Sequence, residues 1–251
     1  MDKTLNYAGY LLCILPLAIL TGSFLSDTII TIIAIVFIIY SIKNKTWNYY
    51  RNYYFFFLIL FYSYIVTRSL FSEEIIFSLE SSLFYFRFIF FALGVWLILD
   101  YNEKFLRIFL YIVFAAFCIC IIDGYYQFFT RFYLSTISAV NLFGISGVED
   151  RLTLPFSDKL DLGSYLSRLF PLLLGLMILL MSEKKYFIFI TLLMMVLIDV
   201  LVYLTGERTA LALMLLSTLL FIFLMKKLKL IRILALILSL LTITLISIID
   251  V

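Results

Sequence analysis

The chain reads as a succession of long apolar runs separated by short polar breaks. The runs fall at about 7–25, 28–42, 53–71, 81–99, 105–127, 163–181, 186–204, 209–225 and 231–249. Within each run the apolar residues are continuous and do not alternate with period two. That pattern predicts helices, not the strands of an outer-membrane barrel. A helix needs about 20 apolar residues to cross the hydrocarbon of a bilayer, so nine crossings take up roughly 180 residues and leave about 70 for the loops and both ends. The expectation is an all-α, polytopic transmembrane bundle of about nine spans. It forms a single transmembrane domain over 1–251, with no room for a soluble catalytic domain. The first run follows Lys3, as a signal peptide would, but its apolar core is long and no A-x-A-like cleavage site follows, so it is read as a span. The longest polar stretch is 128–162, with Asn141, Gly144, Gly147, Pro155 and the charged set Glu149, Asp150, Arg151, Asp158, Lys159 and Asp161. Pro171 lies early in the sixth run and is expected to kink it.

Composition adds what the pattern leaves open. The chain is 65% hydrophobic and 14% charged, whereas soluble domains are about 45–50% apolar and about 25% charged. There is too little polar surface to coat a water-soluble globule, which excludes disorder, a secreted disulfide scaffold and an ordinary nucleic-acid-binding domain. Cys13, Cys118 and Cys120 all sit within apolar runs and read as small hydrophobes, implying neither metal nor disulfide. With no histidine in the chain, the commonest proton-transfer group and the commonest metal ligand are missing.

Charge matters once it is divided by side. With the N-terminus in the cytoplasm, the inner segments hold Lys3, Lys43, Lys45, Arg51, Lys104, Arg107, Lys184, Lys185, Lys226, Lys227, Lys229 and Arg232. Against these 12 basic residues stand four acidic ones, Asp2, Asp100, Glu103 and Glu183. The inner balance is +8 and the balance of all other positions −5, which together give the net +3 of the chain. Basic residues concentrate on the cytoplasmic side of membrane proteins, so this orientation is the expected one. It places the 128–162 stretch on the outer face.

A charge within a span is costly and marks a functional-site hypothesis. Arg87, Asp123 and Asp199 all fall at a similar depth in the outer third, Arg87 about six residues or roughly 9 Å below the boundary. They suggest a polar cavity opening outward. The simpler alternative is that Arg87 pairs with Asp123 or Asp199 and pins the bundle. Two helix entrances add to this. Span six opens with Gly163-Ser164-Tyr165-Leu166-Ser167-Arg168, and span eight with Thr205-Gly206-Glu207-Arg208-Thr209-Ala210. Each puts a glycine before an outer-facing helix N-terminus and an arginine near its start. Free N–H groups and the helix dipole favour an anion there, and arginine presents a planar fork suited to phosphate. The physical reading is a phosphate or pyrophosphate site. The plain alternative is a capped helix whose arginine touches lipid headgroups.

The segment Thr205–Ala210 resembles the glycine-x-arginine-threonine-alanine motif of the O-antigen ligase and O-antigen polymerase family. Arg151-Leu152-Thr153-Leu154-Pro155-Phe156-Ser157-Asp158, followed by Gly163-Ser164-Tyr165-Leu166, is similar to that family's arginine-leucine…phenylalanine…glycine-x-tyrosine-leucine stretch. The resemblance implies a polytopic glycosyltransferase of the bacterial inner membrane that needs neither metal nor cofactor. Its donor would be an undecaprenyl-pyrophosphate-linked glycan, passed on the periplasmic side to lipid A-core or to a growing polysaccharide. By match of motif Arg208 would hold the donor pyrophosphate, with Arg151 and Arg168 as weaker carry-overs. The in-span Arg87 is a further candidate for the pyrophosphate, and Gly206, Thr209, Asp123, Gly163 and Tyr165 stand in support. Two departures stand out. Glu207 occupies a place where the family commonly has a small residue, and it would be free to pair with Arg208. The family's large periplasmic loop, with its histidine, would begin about where the chain stops at Val251. The expectation is therefore a truncated or split product, with a second polypeptide supplying the remainder. Among the outer carboxylates Asp199 is the best-placed substitute for the missing base, one and a half turns before the Thr205–Ala210 entrance. A lipid or polysaccharide transporter or flippase, and a non-catalytic bundle that binds a partner, are the competing readings. Charges confined to one depth argue against a path through the membrane.

Overall fold

The computed structural model describes residues 2–134, 142, 152–156, 160–183, 185–225 and 228–249. Every regular element among them is a helix. In order these are α1 (Asp2–Thr21), α2 (Ser23–Asn44), a 3-10 turn (Trp47–Tyr50), α3 (Tyr53–Ser69), α4 (Ile75–Leu83), α5 (Phe86–Tyr101) and α6 (Lys104–Leu134). The second half of the chain adds α7 (Leu162–Met181), α8 (Phe187–Leu204), α9 (Arg208–Leu224) and α10 (Lys229–Ile249). Among the described residues seven stretches are long and apolar enough to cross a membrane: Lys3–Thr21, Ser23–Asn44, Ile75–Tyr101, Lys104–Thr130, Leu162–Met181, Phe187–Leu204 and Lys229–Ile248. The chain is a multi-pass helical membrane protein. The nine apolar runs each contain a helix, but α3 and α9 have only 17 residues, a length of about 25 Å.

The helix boundaries differ from the apolar runs where polar residues stay helical. The fourth run extends back to Ile75, because Ser78, Glu80, Ser81 and Ser82 continue the helix of α4. A break at Phe84 and Tyr85 then separates α4 from α5. The helix α6 is 31 residues long and runs to Leu134, so it takes in the beginning of the 128–162 stretch. Further on, Leu152, Thr153 and Leu154 are buried, and that part of the stretch belongs to the packed interior.

The chain divides into two compact units, Met1–Phe109 and Leu110–Val251, with the division inside α6. In the first unit α2 packs against α1 and α5. Its core is Leu5, Phe37, Leu93 and Leu97, surrounded by aromatic rings. Phe37 meets Tyr49 edge to face at 6.1 Å and Tyr49 meets Trp96 in the same way at 5.6 Å, an arrangement ring quadrupoles favour. The Tyr49 hydroxyl donates to Asp100 at 3.0 Å. Burial, and next this carboxylate, push the phenol up to about 12.

The second unit packs α7 against α8 and α9, and α8 against α10. Leu162, Leu166, Phe170, Leu173, Leu174 and Met177 form the buried stripe of α7. Their spacing of three and four residues is that of one helix face. Phe117 of α6 lies 6.0 Å from the Tyr165 ring, and the Tyr125 hydroxyl donates to the Leu197 carbonyl at 3.0 Å. These contacts tie α6 to the start of α7 and to α8.

Candidate functional site

The two helix entrances meet. Glu207, the residue before α9, sends its carboxylate to the N-terminus of α7. The Gly163 N–H donates to its Oε1 at 2.8 Å, the Ser164 N–H to Oε2 at 2.9 Å, and the Ser164 hydroxyl to Oε2 at 2.8 Å. The first amides of a helix have no partner in their own helix, and a carboxylate is the favoured guest at that positive end. Asp161 precedes α7 but makes no side-chain cap, so Glu207 takes that role from 43 or 44 residues away in sequence.

Glycine is required twice here. A Cβ on Gly163 would lie 2.6 Å from Thr205 Oγ1 and 3.0 Å from the Glu207 carboxyl group, so the starts of the two helices touch only because that side chain is missing. Gly206 has φ +70°, a left-handed backbone that other residues adopt at a cost. It turns the chain sharply from α8 into α9. The turn is held by the Thr205 hydroxyl, which donates to Val202 O at 2.8 Å and accepts from the Glu207 N–H at 3.4 Å.

This arrangement corrects two expectations. The N-terminus of α7 is not open to a ligand anion, because the protein's own carboxylate fills it. Nor does Glu207 pair with Arg208, since its oxygens are turned to α7. Arg208 and Thr209 are exposed at the start of α9, and that helix has no side-chain cap of its own. The two entrances thus end in opposite conditions, one filled and one open. Arg168, one turn further along α7, is exposed as well. Tyr165 is buried and serves packing. Arg151 lies outside the described residues.

Each embedded charge has a partner of its own. Arg87 pairs with Asp27 at 3.1 Å in the first unit, not with Asp123 or Asp199, and its guanidinium also lies 5.0 Å from the Phe88 ring. Asp123 is buried; its carboxylate accepts from the Gln127 side chain at 2.7 Å and from the Leu142 N–H at 2.8 Å. Gln127 in turn pairs with the backbone of Thr153 in both directions, donating to its carbonyl at 3.0 Å and accepting from its N–H at 2.9 Å. This amide latch ties the buried residues Leu152, Thr153 and Leu154 to α6.

Asp199 is held by Arg232. The two terminal guanidinium nitrogens donate one to each carboxylate oxygen, Nη1 to Oδ2 at 2.7 Å and Nη2 to Oδ1 at 3.0 Å. Arg232 also donates to the Thr218 hydroxyl, and it lies 5.2 Å from the Phe170 ring. Its side chain is 1% exposed. Arg232 is therefore a buried cation joining α7, α8, α9 and α10, and it drops out of the cytoplasmic set of basic residues. The paired contact with Arg232 gives Asp199 a structural place in the unit. Asp27, Gln127 and Arg232 escaped the sequence reading although each had a signal. Asp27 sits at a run boundary, Gln127 lies four residues after Asp123 on the same helix face, and Arg232 falls within the 231–249 run.

The cysteines are free; Cys13 and Cys120 are buried and Cys118 is half-buried. Among the described residues no three of His, Cys, Asp and Glu converge in a way that would hold a metal. No protein-family model matches the chain, and no curated protein or solved structure matches it.

Proposed function

We propose that this protein is an O-antigen ligase- or polymerase-like glycosyltransferase of the bacterial inner membrane. In this reading it binds an undecaprenyl-pyrophosphate-linked glycan on the periplasmic side, for transfer to lipid A-core or to a growing polysaccharide. The observation that supports it is the junction of α7 and α9. Two short segments that each resemble the family are far apart in sequence, yet they are joined by three hydrogen bonds to one carboxylate. The junction leaves Arg208 exposed at an uncapped helix start.

The chemistry follows from that geometry. An acceptor hydroxyl attacks the anomeric carbon of the donor and releases its proton to water, the bond from that carbon to the diphosphate oxygen breaks, and the leaving group departs as an anion. A fixed guanidinium beside the positive end of a helix stabilises that charge. In this assignment Arg208 clasps the diphosphate, the α9 amides and Thr209 complete the cradle, and Gly206 lets the backbone turn close to it. Arg168 is a secondary cation. Nine spans with a cytoplasmic N-terminus put this junction on the periplasmic side.

The test is binding of radiolabelled undecaprenyl-pyrophosphate-linked glycan to the full chain in nanodiscs. Arg208→Ala removes a charged hydrogen-bond donor and is expected to weaken binding by about ten- to a hundredfold. Equal binding by the variant and the native chain would overturn the assignment. Expression in a strain lacking its own O-antigen ligase, read by the ladder pattern of lipopolysaccharide, separates transfer from binding alone.

A further inference from the structure

Glu207 stands next to the residue assigned to the diphosphate, and a negative charge there looks unfavourable for binding an anion. The geometry resolves this. Both oxygens of its carboxylate are directed at α7, where they accept from Gly163, from the Ser164 amide and from the Ser164 hydroxyl. The positive end of α7 offsets the charge. The backbone of Glu207 is extended, with φ −78° and ψ 104°, and its carbonyl accepts from the Leu211 N–H at 3.1 Å to begin α9. Its side chain is anchored on one helix and its main chain starts the next. Arg208 follows directly, so the bonds that hold Glu207 also fix the root of the arginine.

We infer that Glu207 is a positioning residue for anion binding: by spanning from the start of α9 to the N-terminus of α7 it holds Arg208 in place to receive a diphosphate. This deepens the function proposed above and rests on it. Electrostatics alone predicts that removing the carboxylate strengthens binding of an anion, because a like charge is lost. Positioning predicts the opposite. The sign of the change therefore tells the two apart.

The experiment measures binding of undecaprenyl pyrophosphate to the full chain in nanodiscs, for the native protein and for Glu207→Gln, Ser164→Ala, Arg208→Ala and the double variant Glu207→Gln/Arg208→Ala. The inference predicts about tenfold weaker binding by Glu207→Gln. Ser164→Ala, which deletes one bond and leaves the charge, is expected to go the same way by a smaller factor. In the Arg208→Ala background the Glu207 substitution is expected to add nothing, because its effect passes through the arginine. Equal or tighter binding by Glu207→Gln, or an undiminished effect of it in the double variant, would overturn the inference. Should Glu207→Gln fail to fold, Ser164→Ala decides: weakened binding supports positioning and unchanged binding refutes it. No binding of the probe by the native chain would instead defeat the functional reading itself.

Discussion

At the scale of single residues, the buried pair of Asp199 and Arg232 carries the largest local stakes. Their side chains are 8% and 1% exposed, so neither charge has much access to water or to lipid headgroups. An ion pair in such a place contributes little relative to a well-packed apolar pair, yet breaking it from one side leaves an uncompensated charge and costs about 3–5 kcal/mol. Asp199→Asn is expected to lower the unfolding midpoint in detergent sharply. The double change Asp199→Leu/Arg232→Met is expected to recover most of the loss. A single variant as stable as the native protein would mean that water or another carboxylate reaches Arg232. The sequence made Asp199 visible as a charge in an apolar run but did not show its partner, because helical spacing reports faces of one helix and not which two helices meet. Arg232 was legible by the same rule, inside the run 231–249. Reading it as the end of a basic cytoplasmic cluster hid it.

At the scale of elements, the apolar runs located the helices well, because a lipid-facing helix is apolar on most sides and needs no amphipathic pattern to be found. They located the connections poorly. The stretch 128–162 is polar in composition, yet it contains the end of α6 and buried Leu152, Thr153 and Leu154. One glutamine amide pairs with the Thr153 backbone 26 residues away and ties this segment to α6, and composition carries no trace of it. The site was legible in the same uneven way. The glycines and arginines of both entrances could be read from spacing, while the bond between the entrances depends on Glu207, whose charge pointed to Arg208 and not to α7. Gln127→Ala removes the acceptor of the Thr153 N–H and the donor to its carbonyl. An unmade buried hydrogen bond costs about 1–3 kcal/mol. Amide exchange at Thr153 is therefore expected to quicken by roughly ten- to a hundredfold if local opening governs it. Unchanged exchange would mean that the apolar contacts of Leu152 and Leu154 hold the segment by themselves.

At the scale of the whole molecule, the side of the membrane that Arg208 faces turns on α3. This helix has 17 residues, and among its side chains only Ser69 is buried. If α3 crosses, five crossings (α3, α4 with α5, α6, α7 and α8) separate α2 from the Arg208 junction by way of an outer Glu73 and Glu74, and an N-terminus in the cytoplasm leaves Arg208 outside. If α3 lies on the surface, every later segment changes side. Lys104, Arg107, Lys185 and Lys229 would then face outward and Arg208 inward. Basic residues in short loops strongly favour the cytoplasmic side, and removing the buried Arg232 from the count leaves that preference intact, since the remaining cations of the loops all move together. The expected topology therefore has α3 spanning. With Cys13, Cys118 and Cys120 replaced, single cysteines at Glu73 and Thr209 are expected to react with a membrane-impermeant maleimide on intact cells. One at Lys45 is expected to react only after permeabilisation. Labelling of the Thr209 position only in permeabilised cells would place the arginine with the cytoplasmic lysines, where a donor presented in the periplasm has no access to it.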